Sequence, residues 1–291
     1  MPRGVPKAGY RNRKQKVSVI DLAMKAKNVI AFEETRETDD QIREKLSDRF
    51  SVLSELTDNA VQGDIRSLIV SGPPGLGKSF TVEQALKKWD PEQLNHTIIK
   101  GYVKATGLYR TLYQFRQKNK VIVFDDADSI FFDDTALNML KTVCDTTERR
   151  TVSYLADYNM VDGDSADLIP RSFDFDGTIV FITNMDFDRL IDGGSKIAPH
   201  LEAMISRSHY LDLEMKSRRD YIIRIEQVVD QGLLSSRGLS DREVKDTMDF
   251  IYKNQSNLRE LSLRMAIKIG DLRMKKPNWE KVCRMTLLRT R

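Results

Sequence analysis

The octapeptide GPPGLGKS, Gly72 to Ser79, constrains this chain more than any other segment. Three glycines and two prolines in six residues can neither extend a strand nor begin a helix, so the segment is a turn. It fits the pattern G-x-x-x-x-G-K-[ST] and has the flanks that pattern needs. SLIV (67–70) precedes it as a short buried strand. An amphipathic stretch from Lys78 to about Lys88 follows as a helix, which Trp89, Asp90 and Pro91 end. Gly72, Gly75 and Gly77 let the backbone turn so that its N–H groups, with the helix N-terminus, face inward around phosphate oxygens. In such a loop Lys78 reaches the β- and γ-phosphates, and the Ser79 hydroxyl ligates Mg²⁺. Pro73, Pro74, Leu76 and Phe80 complete the candidate nucleotide-binding segment. The alternative is an ordinary Gly/Pro turn before a helix.

The rest of the chain alternates in the same manner. Ile42, Leu46, Phe50, Leu53 and Leu56 recur at helical spacing over 39–62, and Gly63 breaks the pattern. Strands are expected at 97–100, 121–125, 150–155, 178–183 and 208–213, with helices at 108–118 and 135–144 and a polar loop at 156–169. From about 216 only helical patterns remain: YIIRIEQVV, SDREVKDTMDFIYK and NLRELSLRMAIKI. Ser240 with Glu243 forms a capping box for the second of these. The expected fold class is α/β: a parallel five-stranded sheet flanked by helices, plus a C-terminal helical lid. The expected divisions are a basic, flexible arm (1–38), a nucleotide-binding domain (39–214) and the lid domain (215–291).

Composition narrows the setting. The chain has 291 residues, 40% hydrophobic and 31% charged, enough for a sizeable core. No run approaches the roughly 18 uncharged apolar residues of a membrane span, so no membrane partner is expected. The N-terminus lacks the apolar stretch of a secretory signal. Two cysteines, Cys144 and Cys283, exclude a disulfide framework and suit a reducing cytoplasm. Three scattered histidines give no zinc-ligand spacing. The net charge of +4 is unevenly distributed. Residues 1–16 carry six Lys/Arg and no acid, and residues 215–291 carry 18 Lys/Arg against ten Asp/Glu, which leaves −10 for 17–214. Basic ends suit a polyanion such as nucleic acid, although solvated helix faces give the same count.

Further motifs follow the glycine loop. VIVFDDAD (121–128) runs a buried strand into two adjacent carboxylates. Asp125 is placed to hold Mg²⁺ through water, and Asp126 to activate the attacking water. Asp128 is an alternative base or a helix cap. TIVFITN (178–184) ends in Asn184, whose amide can orient a water, although Asn at a strand end is also ordinary turn chemistry. MISRSHYLDL (204–213) places Arg207 between a helix and the last strand. NLREL (257–261) places Arg259 at the opening of the last long helix.

This order of motifs resembles the AAA+ ATPase superfamily of P-loop NTPases over about residues 45–275. By that resemblance Asp125 and Asp126 form the Walker B pair, Asn184 is sensor 1, Arg207 is the arginine finger and Arg259 is sensor 2. Arg264 competes for the last role, and Arg149 and Arg150 compete for the finger. The family's usual second acid is Glu; Asp126 is one methylene shorter. The resemblance implies ATP and Mg²⁺ as cofactors and a homo-oligomer, usually a hexameric ring, because the finger acts in a neighbouring subunit. The short chain, the DDAD box and LNMLKTVCDTTERRTVSY also look similar to small bacteriophage-encoded ATPases, which would place the protein in the host cytoplasm.

The same resemblance places a channel loop after the second strand, in KGYVKATGLY (100–109), where Tyr102, Lys104, Thr106 and Leu108 are candidates. An ordinary strand-to-helix connection is the alternative. Residues 146–177 look like the presensor-1 hairpin of helicase-type relatives, with Arg149, Arg150 and Arg171 as candidate contacts to single-stranded DNA. The acidic VDGDSAD within it argues the other way. The expected function is therefore a nucleic-acid translocase or helicase-like motor. A protein remodeller and a slow ATP-controlled loader are the alternatives.

Overall fold

The computed structural model describes residues 37–155, 160–161 and 168–289. The expected basic arm falls outside them up to residue 36, as does most of the acidic loop, at 162–167. The first described helix, α1 (Asp39–Gln62), opens on a capping box in which Thr38 and Gln41 satisfy each other's backbone N–H groups. It ends at Gly63, whose φ of 80° only glycine adopts easily. Its buried face, Ile42, Leu46, Phe50 and Leu53, is the one its periodicity predicts.

The central sheet comprises β1 (Ser67–Ser71), β2 (His96–Lys100), β3 (Val121–Asp125), β8 (Thr178–Ile182) and β9 (His209–Asp212). They pair in parallel in the order β2-β3-β8-β1-β9. Successive side chains leave the sheet on opposite faces. Leu68, Val70, Val123 and Val180 join α1 and α2 (Lys78–Trp89) in one apolar cluster. Ile69, Ile122, Phe124 and Phe181 join the other, with α3 (Ala105–Gln114) and α4 (Asp134–Val143). Both faces being covered explains why these strands are continuous apolar runs rather than alternating ones.

Between α4 and β8 the chain makes an antiparallel excursion. β4 (Thr151–Ser153) pairs with β7 (Ser172–Asp174), and β5 (Met160–Val161) pairs with β6 (Leu168–Ile169). The loop expected at 156–169 therefore contains two short strands. The excursion is packed against α3 through Tyr109, whose ring lies 5.0 Å from Phe173 and 5.4 Å from Tyr154 and whose hydroxyl donates to Pro170 O at 2.9 Å. Helices α5 (Phe187–Asp192) and α6 (Ala198–Ile205) lead into β9. Then α7 (Arg218–Asp230), α8 (Asp241–Asn254), α9 (Leu263–Lys275) and α10 (Trp279–Leu287) build a third apolar cluster around Ile225, Leu234, Ile251, Ala266 and Ile269.

Several expectations shift. α3 spans 105–114 rather than 108–118. It stops at Phe115 because the carbonyls of Arg116 and Lys120 receive N–H groups from Asp176 and Thr178, tying this stretch to the strand beyond. Thr106 thereby lies in the first turn of α3 and Leu108 is fully buried, so Leu108 is core and not channel. Lys104, which precedes α3, and Tyr102 are exposed. α9 begins at Leu263, not Asn257. Ser262 caps it, and Leu258 is held in an antiparallel bridge with Leu288.

Arg150 is a further correction. It is only 5% exposed, and its guanidinium donates to Val143 O at 2.6 Å and Gly177 O at 3.1 Å over the ring of Phe175. It is a buried strut joining α4 to the start of β8, and a polyanion has no access to it. Arg149 is exposed and pairs with Asp174 at 2.9 Å. Arg171 is also exposed. Arg150→Met leaves two carbonyls without donors and is expected to cost roughly 2–4 kcal/mol in urea unfolding. Full stability in that variant would show that the strut carries no load.

Asp212 closes β9 beside acids. Burial, then Glu214 and Asp186, push its carboxyl up to about 6, and Arg49 opposes them. A raised carboxyl contributes stability below its unfolded pKa and loses it as pH rises toward 6. Asp212→Asn is therefore expected to raise stability at pH 7.5 by about 1–2 kcal/mol, discounted for its partial exposure. The gain should fade toward pH 4; an equal gain at both pH values would refute the assignment.

Candidate nucleotide-binding site

The register of the sheet assembles the site. Asp125 on β3 lies beside Ile182 on β8, and Ile182 lies beside Val70 on β1. The residues that follow these three therefore emerge at one edge of the sheet: Ser71 into the glycine loop, Asp126, and Thr183 into Asn184. Parallel strands with C-terminal ends on the same edge form the crevice in which α/β sheets bind ligands.

Lys78 sits at the centre. It is the first residue of α2 and 5% exposed. Its ammonium donates to Gly72 O at 2.5 Å, Pro73 O at 2.8 Å and Asn184 Oδ1 at 2.9 Å. Burial brings its pKa down to about 8, against the pull of Asp126, Asp125 and Asp128, and Arg264 adds a further downward push. The Asn184 amide in turn donates to Asp126 Oδ1 at 2.5 Å. Asp126 has a φ of 54°, a left-handed conformation uncommon for a residue with a side chain and a mark of functional sites. Its backbone N–H is anchored on Ile182 O at 2.9 Å. Asp128 is occupied elsewhere: it accepts from the Thr183 hydroxyl at 2.6 Å.

Ser79 donates to Asp125 Oδ1 at 2.9 Å. A hydroxyl and a carboxylate side by side are the hard oxygen donors that suit Mg²⁺, with waters and phosphate oxygens completing the shell. Among the described residues no cluster of three or more His, Cys, Asp or Glu could hold a metal by itself. The other oxygen of Asp125 meets Lys100, 3.0 Å away, which also pairs with Glu83 at 2.9 Å. These two carboxylates hold the Lys100 pKa above its ordinary value. Lys100 was missed in the sequence. Its signal is the β2–β3 register, which sets Lys100 beside Asp125.

The helical region closes the other side. A cavity of about 320 Å³ is lined by the loop residues Pro74, Gly75, Gly77, Lys78, Ser79 and Phe80, by Asp126 and Asn184, and by residues of α7 and α9 including Arg264. Gly72 and Leu76 are buried beneath it. Gly75 has a φ of 78°, and a Cβ there would lie 2.6 Å from Ser262 Cβ. Only glycine permits the resulting hydrogen bond from Leu263 N–H to Gly75 O at 2.9 Å. That contact puts Arg264 in the first turn of α9. A cation there opposes the helix dipole, and none of the first-turn residues is acidic to offset it.

Arg259 stands apart from the cavity. It is exposed, and its backbone N–H is bound to Leu287 O. Arg207 lies at the opposite edge of the sheet, next to the start of β1, where Ser67 Oγ donates to its carbonyl. The length of β1, roughly 13 Å at 3.3 Å per residue, separates it from its own loop. Its guanidinium is partly exposed and pairs with Asp145 at 3.1 Å; the Thr147 N–H, and then Arg207, hold the Asp145 carboxyl below its usual range against its desolvation.

Comparison with known proteins is consistent with this geometry. Residues 68–191 match the family described as ATPase family associated with various cellular activities (AAA). The chain is 37% identical over 256 residues to an uncharacterized 36.7 kDa protein in the nrdC-mobD intergenic region of Enterobacteria phage T4, covering 87% of this chain and 78% of that one. Among solved structures, a Thermotoga maritima RuvB mutant is 16% identical, with a TM-score of 0.45 over 83% of this chain and 66% of the other. NtrX from Brucella abortus in complex with ATP is 12% identical, with a TM-score of 0.44 over 78% and 51%. Aeropyrum pernix ORC1 in complex with DNA is 13% identical, with a TM-score of 0.42 over 84% and 62%. The chain thus spans between about half and two thirds of these solved chains, and similarity at this level says nothing of substrate. The glycine loop between β1 and α2, the acids closing β3 and the match of residues 68–191 to the AAA family, with a phage relative aligned over most of both chains, establish that the chain belongs to the AAA+ ATPase superfamily.

Proposed function

We propose that the chain is a Mg²⁺-dependent ATPase that forms a ring and couples ATP hydrolysis to translocation or remodelling of nucleic acid. The observation that carries this reading is the continuous chain Lys78–Asn184–Asp126 beside the Ser79–Asp125 pair, all at one edge of the sheet. With nucleotide bound, Lys78 would exchange its loop carbonyls for the phosphates that the loop N–H groups also bind, Ser79 and Asp125 would hold Mg²⁺, and Asp126 would take the proton of the attacking water that Asn184 orients. Mg²⁺ would supply charge neutralisation across the β- and γ-phosphates. Arg264 replaces Arg259 in the sensor 2 role, because Arg264 lines the cavity. The division into 39–214 and 215–291 belongs to the same proposal, with the cavity at the junction.

Arg207 is proposed to act in a neighbouring subunit. Its distance from its own loop suits a residue that completes another copy's site. A hexamer is the ring the family resemblance favours. Arg207→Ala is expected to keep ATP binding and lose hydrolysis by about a thousandfold or more. Wild-type turnover in that variant would move the finger to Arg149.

Lys78→Ala is expected to abolish nucleotide binding or turnover, and Asp126→Asn to bind ATP without hydrolysing it. A Lys78→Ala protein with unchanged hydrolysis would overturn the site. Normal turnover in Asp126→Asn would pass the base role to Asp128.

Nucleic acid is favoured as the client by the basic balance of the C-terminal region and by exposed Lys104 and Arg149. Single-stranded DNA is expected to raise the ATPase rate, and the stimulation should fall with salt as phosphate contacts are screened. A protein client is the second reading. It rests on Tyr102, 75% exposed in the loop after β2, an aromatic suited to gripping polypeptide. Good basal turnover that DNA leaves unchanged would favour it.

A further inference from the structure

Arg224 is a buried cation that the reading above does not use. It lies in the middle of α7, on the face turned toward α1 and the glycine loop, and it is 7% exposed. Its guanidinium stacks on the Phe50 ring of α1, 3.3 Å from the centroid. Among the described residues its one hydrogen bond is long, from Nε to Leu76 O at 3.4 Å. Its Nη2 lies 3.8 Å from where a Cβ of Gly77 would be, and the residue lines the same cavity as Lys78 and Ser79.

No carboxylate among the described residues compensates this charge. Burial alone acts on the guanidinium and lowers its pKa to about 10. Arg43 and Arg219, by contrast, are matched, with Glu226 and Asp39 respectively. A buried charge without a counter-charge is costly, and the cation–π contact with Phe50 recovers only part of that cost. A guanidinium at a cavity wall has one strong complement, an oxyanion that accepts two parallel N–H bonds. The loop beside it is built for phosphate.

We infer that Arg224 is a nucleotide-contacting residue that binds the phosphates shared by ATP and ADP and so ties α7 and, through Phe50, α1 to the bound nucleotide. The inference rests on the proposed nucleotide site. The shared phosphates are favoured over the terminal one by position. Arg224 abuts Leu76 and Gly77, at the start of α2, whereas Asn184, bonded to Lys78, and Asp126, bonded to Asn184, are the groups assigned to the water that attacks the terminal phosphate. Arg224 therefore differs from Arg264, to which the sensor 2 role is given.

The test is calorimetric binding of Mg·ATP and Mg·ADP to the full chain, wild type against Arg224→Met and Arg224→Lys, with thermal melting of each protein without nucleotide. Arg224→Met is expected to weaken ATP and ADP alike, by roughly 10- to 100-fold. Arg224→Lys, which keeps the charge but not the fork, should fall between. Without nucleotide, Arg224→Met should melt at or above the wild-type temperature, because an uncompensated buried charge has been removed. Affinities within twofold of wild type for both nucleotides would overturn the inference, as would a loss confined to ATP. If Arg224→Met fails to fold, Arg224→Lys decides: wild-type affinity for both nucleotides would overturn the inference, and a shared loss would support it. Wild-type protein that binds neither nucleotide would refute the nucleotide site itself.

Discussion

The buried ammonium of Lys78 is the interaction on which the site depends. It has three protons, and all three are engaged: two by carbonyls of the loop that precedes it and one by the Asn184 amide just beyond β8, the strand next to β1 in the sheet. The loop is thereby folded onto its own lysine. Through Asn184 the same contact extends to Asp126, so the acid, the amide and the lysine form one hydrogen-bonded unit. Moving any one of them disturbs the other two. Burial makes these bonds strong and makes the ammonium expensive to leave unpaired.

The glycine loop serves the sheet and the helical region at once. Its glycines are needed for phosphate, but Gly75 is also where the cap of α9 comes closest to the loop. The α9 N-terminus is thus fastened directly to the loop backbone. The fastening is a backbone hydrogen bond, from Leu263 N–H to Gly75 O. Arg224 on α7, stacked on Phe50 of α1 and bonded to Leu76 O, joins two further helices to the same loop. On the other face of the sheet, the Tyr109 cluster links α3, and the loop ahead of it, to the antiparallel excursion. The two segments read as channel candidates are therefore mechanically joined.

Much of this was legible in the residues. The octapeptide, the acids at the end of VIVFD and the amide at the end of TIVFI sit where their motifs imply, because a buried strand ending in a turn is a local property of the chain. The arginines were less legible, because their roles depend on neighbours distant in sequence. Arg149 and Arg150 are adjacent and chemically identical. One is exposed and paired with Asp174, and the other is sealed between Val143 O and Gly177 O. The choice between Arg259 and Arg264 turned on where α9 begins. A bridge between Leu258 and Leu288, 30 residues apart, set that boundary. Lys100 and Arg224 carried no motif.

The sequence by itself determined the class of fold and the core of the site. Glycine spacing, apolar runs and the order of strands and helices are short-range signals, and their physical causes act within a few residues. The tertiary structure alone decided which charges are paired, buried or free to meet a ligand. A guanidinium looks the same in any sequence. Whether it braces a strand, faces a phosphate or points to a neighbouring subunit is set by burial and by the carboxylates and carbonyls that folding brings within about 3 Å of it.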